Sequence, residues 1–169
     1  IKLNAQKMLN LSIEANNAGA HLIIFPELAL TGYPPEDLLF RDGFINQVKH
    51  EITNFCNLAP SDISILFGAP NKTDGFLFNS AYLIQNNRII NIYNKQELPN
   101  YGVFDEKRYF SSGDDSFVFE CQNTKIGVLI CEDQWVEGPI SSLCQSNIDI
   151  VVSLNASPFQ LNKQSERIN

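Results

Sequence analysis

The sequence predicts a layered α/β domain, and three observations indicate this fold class. Short apolar runs alternate along the chain with longer segments in which apolar residues recur at helical spacing. Two pairs of apolar runs are separated only by short polar turns, as in β-hairpins. Hydrophobic residues make up 44% of the 169 residues and charged residues 18%, a balance that supports a buried core.

Three helices are predicted. The first presents a face of small and apolar residues, namely Ile1, Ala5, Met8, Ser12 and Ala15. It should stop at Gly19, because glycine favours the position just past a helix C-terminus. A second helix is predicted over 44–58 from the spacing of its apolar face: Phe44, Val48, Ile52 and Phe55. A third is predicted over 139–145, because proline suits the first helical position.

The strands follow from apolar runs bounded by turn residues. The run 21–25 is short and rich in branched residues, which predicts a strand buried on both faces. Asn86-Asn87 and residues 122–124 are predicted hairpin turns, since asparagine tolerates a positive φ. The other predicted strands cover 64–69, 78–85, 88–94, 116–121, 125–130 and 148–154.

Composition argues against several functional classes. Nineteen acidic residues against twelve basic ones give a net charge of −7, and no Lys/Arg cluster marks a nucleic-acid or membrane surface. No apolar run approaches the roughly 18–20 residues of a membrane span. The four cysteines form no CxxC pair and the two histidines are isolated, which predicts no metal site. We expect reduced thiols and a cytoplasmic location.

Three reactive side chains follow predicted strands directly. Glu27 follows the strand 21–25, Lys95 follows 88–94 and Cys131 follows 125–130. Loops at strand ends are the usual place for active sites in α/β folds. Each residue alone has an ordinary alternative interpretation: a solvated acid, a surface lysine and an inert buried thiol. The acids Glu132 and Asp133 should disfavour a thiolate, and Lys95 nearby should restore it.

Together these residue types supply a nucleophile, a base and a cation for attack on an amide. The stretches that surround them are FPELALTGYPPEDLL (25–39), YNKQELPNYGVFDEKRYF (93–110), GVLICEDQW (127–135) and NASPF (155–159). On these residues the chain resembles the nitrilase, or carbon–nitrogen hydrolase, superfamily. Within it, the chain is similar to the N-terminal glutamine amidotransferase domain of glutamine-dependent NAD⁺ synthetases. The resemblance implies an αββα sandwich.

The resemblance also implies roles for individual residues. Glu27 would be the general base, Lys95 the oxyanion stabiliser and Cys131 the nucleophile. Glu106 would orient the lysine and the substrate. The implied substrate-binding residues are Tyr101, Phe104, Glu132, Ser157 and Lys163. Glu97 stands where many members have a histidine, so no role of that histidine transfers.

The implied activity is hydrolysis of L-glutamine through a cysteine thioester, which supplies ammonia for ATP-dependent amidation of deamido-NAD⁺. Residues 1–169 would form a single glutaminase domain, incomplete at both ends and weakly active or inactive by itself. It would need no metal or cofactor, since ATP and Mg²⁺ would belong to a synthetase domain outside this chain. We also expect a homo-oligomer. The alternatives are a stand-alone amidase or carbamoylase acting on a small amide, and a non-catalytic binding module.

Overall fold

The computed structural model describes residues 1–158 and residue 161. Three short 3₁₀ turns lie between the main elements, at Glu36–Phe40, Glu106–Arg108 and Cys131–Trp135. The helices and strands of the described residues are α1 (Lys2–Asn17), β1 (Leu22–Ile24), α2 (Asp42–Leu58), β2 (Ser64–Thr73), β3 (Phe76–Gln85), β4 (Arg88–Asn94), β5 (Phe117–Cys121), β6 (Thr124–Ile130), α3 (Glu137–Cys144) and β7 (Ile150–Leu154).

The strands form two sheets. The first has the order β1-β2-β3-β4, with β1 parallel to β2 and the remaining pairs antiparallel. The second has the order β5-β6-β7, with an antiparallel β5–β6 hairpin and a parallel β6–β7 pair. Each sheet therefore joins hairpin-linked strands to one parallel neighbour that arrives through a helix.

The layers follow the alternation of side chains along the strands. On β2, Ile65 and Phe67 contact α1 and α2, whereas Leu66 faces the second sheet. On β6, Val128 faces the first sheet, while Gly127 lies against Leu143 of α3. The order of layers is helix, sheet, sheet, helix, which confirms the predicted αββα sandwich.

The helix predictions are confirmed, with small shifts at the ends. Ala5, Met8 and Ser12 are buried on α1, and Gly19 has a φ of +81° just past its end. On α2, Val48, Ile52 and Phe55 are buried as predicted, whereas Phe44 is half-buried and Ile45 is buried in its place. Helix α3 begins at Glu137, so Pro139 occupies its third position, where its missing N–H is still no loss. Within the described residues, no helix is long and apolar enough to cross a membrane.

Three strand predictions were wrong in detail. Strand β1 is not buried on both faces, since Ile24 is 42% exposed, and within the described residues it pairs with β2 alone. The β5–β6 turn has two residues, because Cys121 pairs with Thr124 across Gln122-Asn123. Strands β2 and β3 run past the predicted ends at 69 and 78 to a turn at 74–75, where both residues have positive φ.

Candidate active site

Three of the predicted site residues form a buried ion cluster, defined here as Glu27, Lys95 and Glu106. Lys95 Nζ donates to Glu27 Oε1 at 2.7 Å and to both carboxylate oxygens of Glu106 at 2.9 Å. All three residues are buried, and Lys95 has no exposed surface. Glu27 and Lys95 lie 68 positions apart in the sequence. They meet because β1 and β4, although on opposite sides of the sheet, run in the same direction, so their C-terminal ends lie at the same end of it.

The position of Glu27 depends on a close approach between backbones. The loop after β1 crosses Gly68 of β2, whose N–H donates to Pro26 O at 3.2 Å and whose carbonyl accepts from Leu30 N at 3.2 Å. A β-carbon added to Gly68 would collide with the backbone nitrogen of Leu28 and lie 2.7 Å from the Cα of Glu27. Only glycine therefore lets this loop lie so close to the sheet.

Two further side chains hold the carboxylates of the cluster. Asn79 Nδ2 donates to Glu27 Oε1 at 2.8 Å, and the Tyr33 hydroxyl donates to Glu106 Oε1 at 2.9 Å. The backbone N–H of Ala156 donates to the other oxygen of Glu27 at 3.1 Å. Sequence analysis missed Asn79 and Tyr33. A fully buried asparagine within an apolar strand was the available signal for Asn79.

The charges of the cluster oppose the effect of burial. Burial raises the pKa of Glu27, and the charge of Glu106 adds to this, while Lys95 lowers it. For Lys95, burial lowers the pKa, but the two carboxylates outweigh it and the net shift is upward. The cluster thus places an ammonium that resists deprotonation beside a carboxylate that accepts a proton more readily than usual.

Cys131 lies at the end of β6 in an unusual backbone conformation, with a φ of +44°. Burial and the charge of Glu27 raise the pKa of its thiol from 9.0 to about 11. Lys95, the Ser157 side chain and the Ala156 N–H act in the opposite direction. The expectation that Lys95 restores a thiolate was therefore wrong: desolvation outweighs one ammonium that two carboxylates already neutralise.

The predicted substrate-binding residues form a more open group above this cluster. The Tyr101 hydroxyl donates to both carboxylate oxygens of Glu132, at 2.9 and 3.1 Å. The ring of Phe104 packs edge-on to Tyr101, with centroids 5.7 Å apart. We call these three residues the aromatic rim. Ser157 lies beside Cys131, and Lys163 lies outside the described residues.

A cavity of about 320 Å³ lies between the loops 33–39 and 103–110. Tyr33 and Glu106 line it, but Cys131 and Lys95 do not. It therefore lies beside Glu106 and not over the Cys131 thiol.

The fold and these motifs define the class of the protein. Residues 1–167 match the carbon-nitrogen hydrolase family, and the chain belongs to that family. This confirms the predicted superfamily.

Among similar proteins are glutamine-dependent NAD(+) synthetases from several bacteria. The glutamine-dependent NAD(+) synthetase of Acinetobacter baylyi is 42% identical over 169 residues, which cover 99% of this chain and 31% of that protein. The corresponding enzyme of Synechocystis is 38% identical over 178 residues, with 95% and 32% covered. The chain thus spans about a third of the length of these relatives.

Solved structures agree with this. The glutamine-dependent NAD⁺ synthetase from Acinetobacter baumannii, in complex with ADP, superposes with a TM-score of 0.90 at 41% identity, covering 98% of this chain and 31% of that one. A nitrilase-superfamily amidase from Nesterenkonia superposes with a TM-score of 0.81 at 18% identity, covering 98% and 63%. The amidase shows the shared fold alone.

Proposed function

We propose that this chain is the glutamine-hydrolysing part of a glutamine-dependent NAD⁺ synthetase. The observation that carries the proposal is the buried ion cluster beside the Cys131 thiol, whose pKa is raised by burial. A thiol that stays protonated needs a base at the moment of attack, and Glu27 is a base with a raised pKa in the same buried site. The similarity to synthetases, at 42% identity, supports glutamine as the amide.

In the first half of the reaction, the Cys131 sulfur attacks the side-chain amide carbon of glutamine while Glu27 accepts the thiol proton. A C–S bond forms, and the carbonyl oxygen becomes an oxyanion. The Lys95 ammonium, which stays protonated because of its two carboxylate partners, stabilises that charge. The structure of the cluster supports this role, because Lys95 is fixed before the substrate arrives.

In the second half, Glu27 returns its proton to the leaving nitrogen, the C–N bond breaks, and ammonia leaves a γ-glutamyl thioester. Glu27 then accepts a proton from a water molecule, whose oxygen attacks the thioester carbonyl. The C–S bond breaks, and the sulfur takes back the proton. One glutamine and one water thus yield glutamate and ammonia, and the enzyme is restored.

Recognition of the substrate is assigned to the rim. Glu132 would attract the α-ammonium of glutamine, and Tyr101 and Phe104 would cover its methylene groups. Ser157 and Lys163 would contact the polar groups at the ends of glutamine. Lys163 would bind its α-carboxylate. These assignments rest on the resemblance and on the position of the rim beside Cys131.

The ammonia would be used in an ATP-dependent amidation of deamido-NAD⁺ by a synthetase domain of the same polypeptide. ATP and Mg²⁺ would bind there, and the glutaminase step would need no metal or cofactor. A cytoplasmic homo-oligomer is part of this proposal. A stand-alone amidase is less well supported, because the amidase neighbour shares only 18% identity.

The test uses the full-length protein. Cys131→Ala should abolish NAD⁺ formation with glutamine and leave formation with free ammonia intact, because no thioester can form. Cys144→Ala is the matched control, since Cys144 is an exposed free thiol on α3. Glutamine-dependent activity in Cys131→Ala, or loss of both activities at an unchanged Tm, would contradict the proposal.

A further inference from the structure

A buried carboxylate lies two residues after the proposed nucleophile. Asp133 has no exposed surface, and each of its oxygens accepts two hydrogen bonds. Oδ1 accepts from the backbone N–H groups of Gln96 and Glu97, at 3.0 and 2.8 Å. Oδ2 accepts from Ile130 N at 3.0 Å and from the Tyr93 hydroxyl at 2.9 Å. Four donors thus occupy the acceptor positions of the carboxylate.

Ordinary helix capping explains only one of these four bonds. The bond to Ile130 N caps the 3₁₀ turn that begins at Cys131, as an acidic residue in its third position often does. The other three bonds go to strand β4 and the segment that follows it, which belong to the other sheet. Capping alone would not require a buried charge between two sheets, where an unpaired carboxylate is costly.

The bonded groups are the neighbours of the reacting residues. Gln96 and Glu97 directly follow Lys95, and Ile130 directly precedes Cys131. Asp133 therefore joins the two chain segments that carry the oxyanion stabiliser and the nucleophile. The φ of +44° at Cys131 is sterically disfavoured for a residue with a β-carbon, so this backbone has to be held from outside.

We propose that Asp133 is a positioning residue, which fixes the distance between the Cys131 thiol and the Lys95 ammonium by binding the backbone on both sides. This inference rests on the proposed function for its catalytic consequence. Its structural part is that Asp133 controls where the Cys131 thiol lies, and this can be tested whatever the substrate is.

Asp133→Asn in the full-length protein is the direct test. An amide nitrogen cannot accept a hydrogen bond, so one end of the new side chain would face two donors. We expect kcat for glutamine hydrolysis to fall about 100-fold, the cost of a displacement near 1 Å, with KM changed less than about threefold. Ile52→Ala is the control for lost stability, because Ile52 is buried in the helix layer away from the site. It should lower Tm and leave kcat unchanged.

A second readout does not depend on glutamine. Alkylation by iodoacetamide, followed at each cysteine by mass spectrometry, should slow at Cys131 in Asp133→Asn, with exposed Cys144 as the internal reference. If the wild type releases no ammonia from glutamine, the proposed function fails, and the alkylation ratio still decides the role of Asp133. A folded Asp133→Asn with wild-type kcat and alkylation ratio would overturn the inference.

Tyr93→Phe decides the matter if Asp133→Asn does not fold. It removes one of the four donors and leaves the carboxylate in place. We expect a three- to tenfold lower kcat, an unchanged KM and a slower reaction at Cys131, in line with the loss of one charge-assisted hydrogen bond. If Tyr93→Phe leaves kcat and the alkylation ratio unchanged, Asp133 serves stability alone and the inference fails.

Discussion

The buried ion cluster and the aromatic rim differ in how firmly the protein holds them. In the cluster, Lys95 Nζ makes three bonds to two carboxylates in a site with almost no exposed surface. In the rim, Tyr101 is 59% exposed, and the carboxylate that its hydroxyl contacts, Glu132, is only half-buried. Under the proposed function, the groups assigned to chemistry are thus held in place before a substrate arrives, whereas the groups assigned to recognition are open to water.

This difference predicts where mutations act. Removing Lys95 from the cluster leaves two buried carboxylates without a cation, which affects stability and rate together. Removing a group from the rim lets water replace it, so only binding should change. The predictions below test this separation, beginning with the largest expected effect.

Lys95→Met should have the largest effect. It leaves Glu27 and Glu106 facing each other without a cation, which should lower the unfolding free energy by about 3–5 kcal/mol. Glutamine hydrolysis should fall by about 10³-fold with the oxyanion stabiliser gone. Chemical denaturation and a glutaminase assay measure both. Lys72→Met is the matched control, because Lys72 pairs with Asp42 at the surface and its loss should leave Tm unchanged. Equal losses of unfolding free energy in Lys95→Met and Lys72→Met would show that burial of the ion cluster makes no difference.

Glu27→Gln should separate rate from stability. The new amide oxygen can still accept from Lys95 and Asn79, and Lys95 keeps Glu106 as its partner. Only the bond from the Ala156 N–H is lost to the amide nitrogen, so Tm should fall much less than in Lys95→Met. The rate should fall about 10²- to 10⁴-fold because the general base is gone.

The pH dependence of kcat/KM tests whether Glu27 is the base. In the wild type, kcat/KM should fall as the pH drops through the pKa of Glu27, which burial has raised above 4.5. The residual activity of Glu27→Gln should lack this acidic limb. An identical acidic limb in both proteins would assign it to another group.

Alkaline stability tests the neutral state of the Cys131 thiol. Its pKa is raised from 9.0 to about 11, so the stabilisation is fully present below pH 9 and is lost as the pH rises through 11. Between pH 8 and 11 the wild type should lose about 2 kcal/mol more unfolding free energy than Cys131→Ser, whose hydroxyl does not ionise there. Urea unfolding at several pH values measures this. Parallel curves would show that the fold does not favour the protonated thiol.

The rim should give the smallest effect. Tyr101→Phe removes an exposed hydroxyl that binds Glu132. We expect KM for glutamine to rise about two- to tenfold, with kcat and Tm unchanged, since the hydrogen bond is modest and exposed. Steady-state kinetics measure both constants. A loss of kcat as large as that of Glu27→Gln would show that the rim takes part in the chemistry.

Local patterns in the sequence were sufficient to predict the α/β class and to single out Glu27, Lys95 and Cys131, whereas the order of the layers followed from the family resemblance. Apolar runs marked β1, β4 and β6, and Glu27, Lys95 and Cys131 stand directly after them. The extended ends of β2 and β3 could not be predicted in this way. Their outer residues lie on a ribbon that is partly exposed, so no apolar alternation marks the strand as far as the turn at 74–75.

The contacts that support the site could not be predicted from the sequence either. Asn79 is 52 positions from Glu27, and Tyr33 is 73 positions from Glu106, so only the folded arrangement of the loops around the sheet brings each pair together. For Asp133 the sequence suggested repulsion of a thiolate, whereas the folded chain turns its carboxylate to four donors. Burial and hydrogen bonding decide the effect of such a charge, and neither follows from spacing.

The close contact at Gly68 limits which substitutions this position tolerates. It carries no reactive group, yet every substitution there adds a β-carbon that meets the same backbone atoms beside Glu27. In a library holding all amino acids at this position, selection for glutamine-dependent growth should return glycine alone. A silent-looking position in a strand would then be as intolerant of genetic variation as the nucleophile itself.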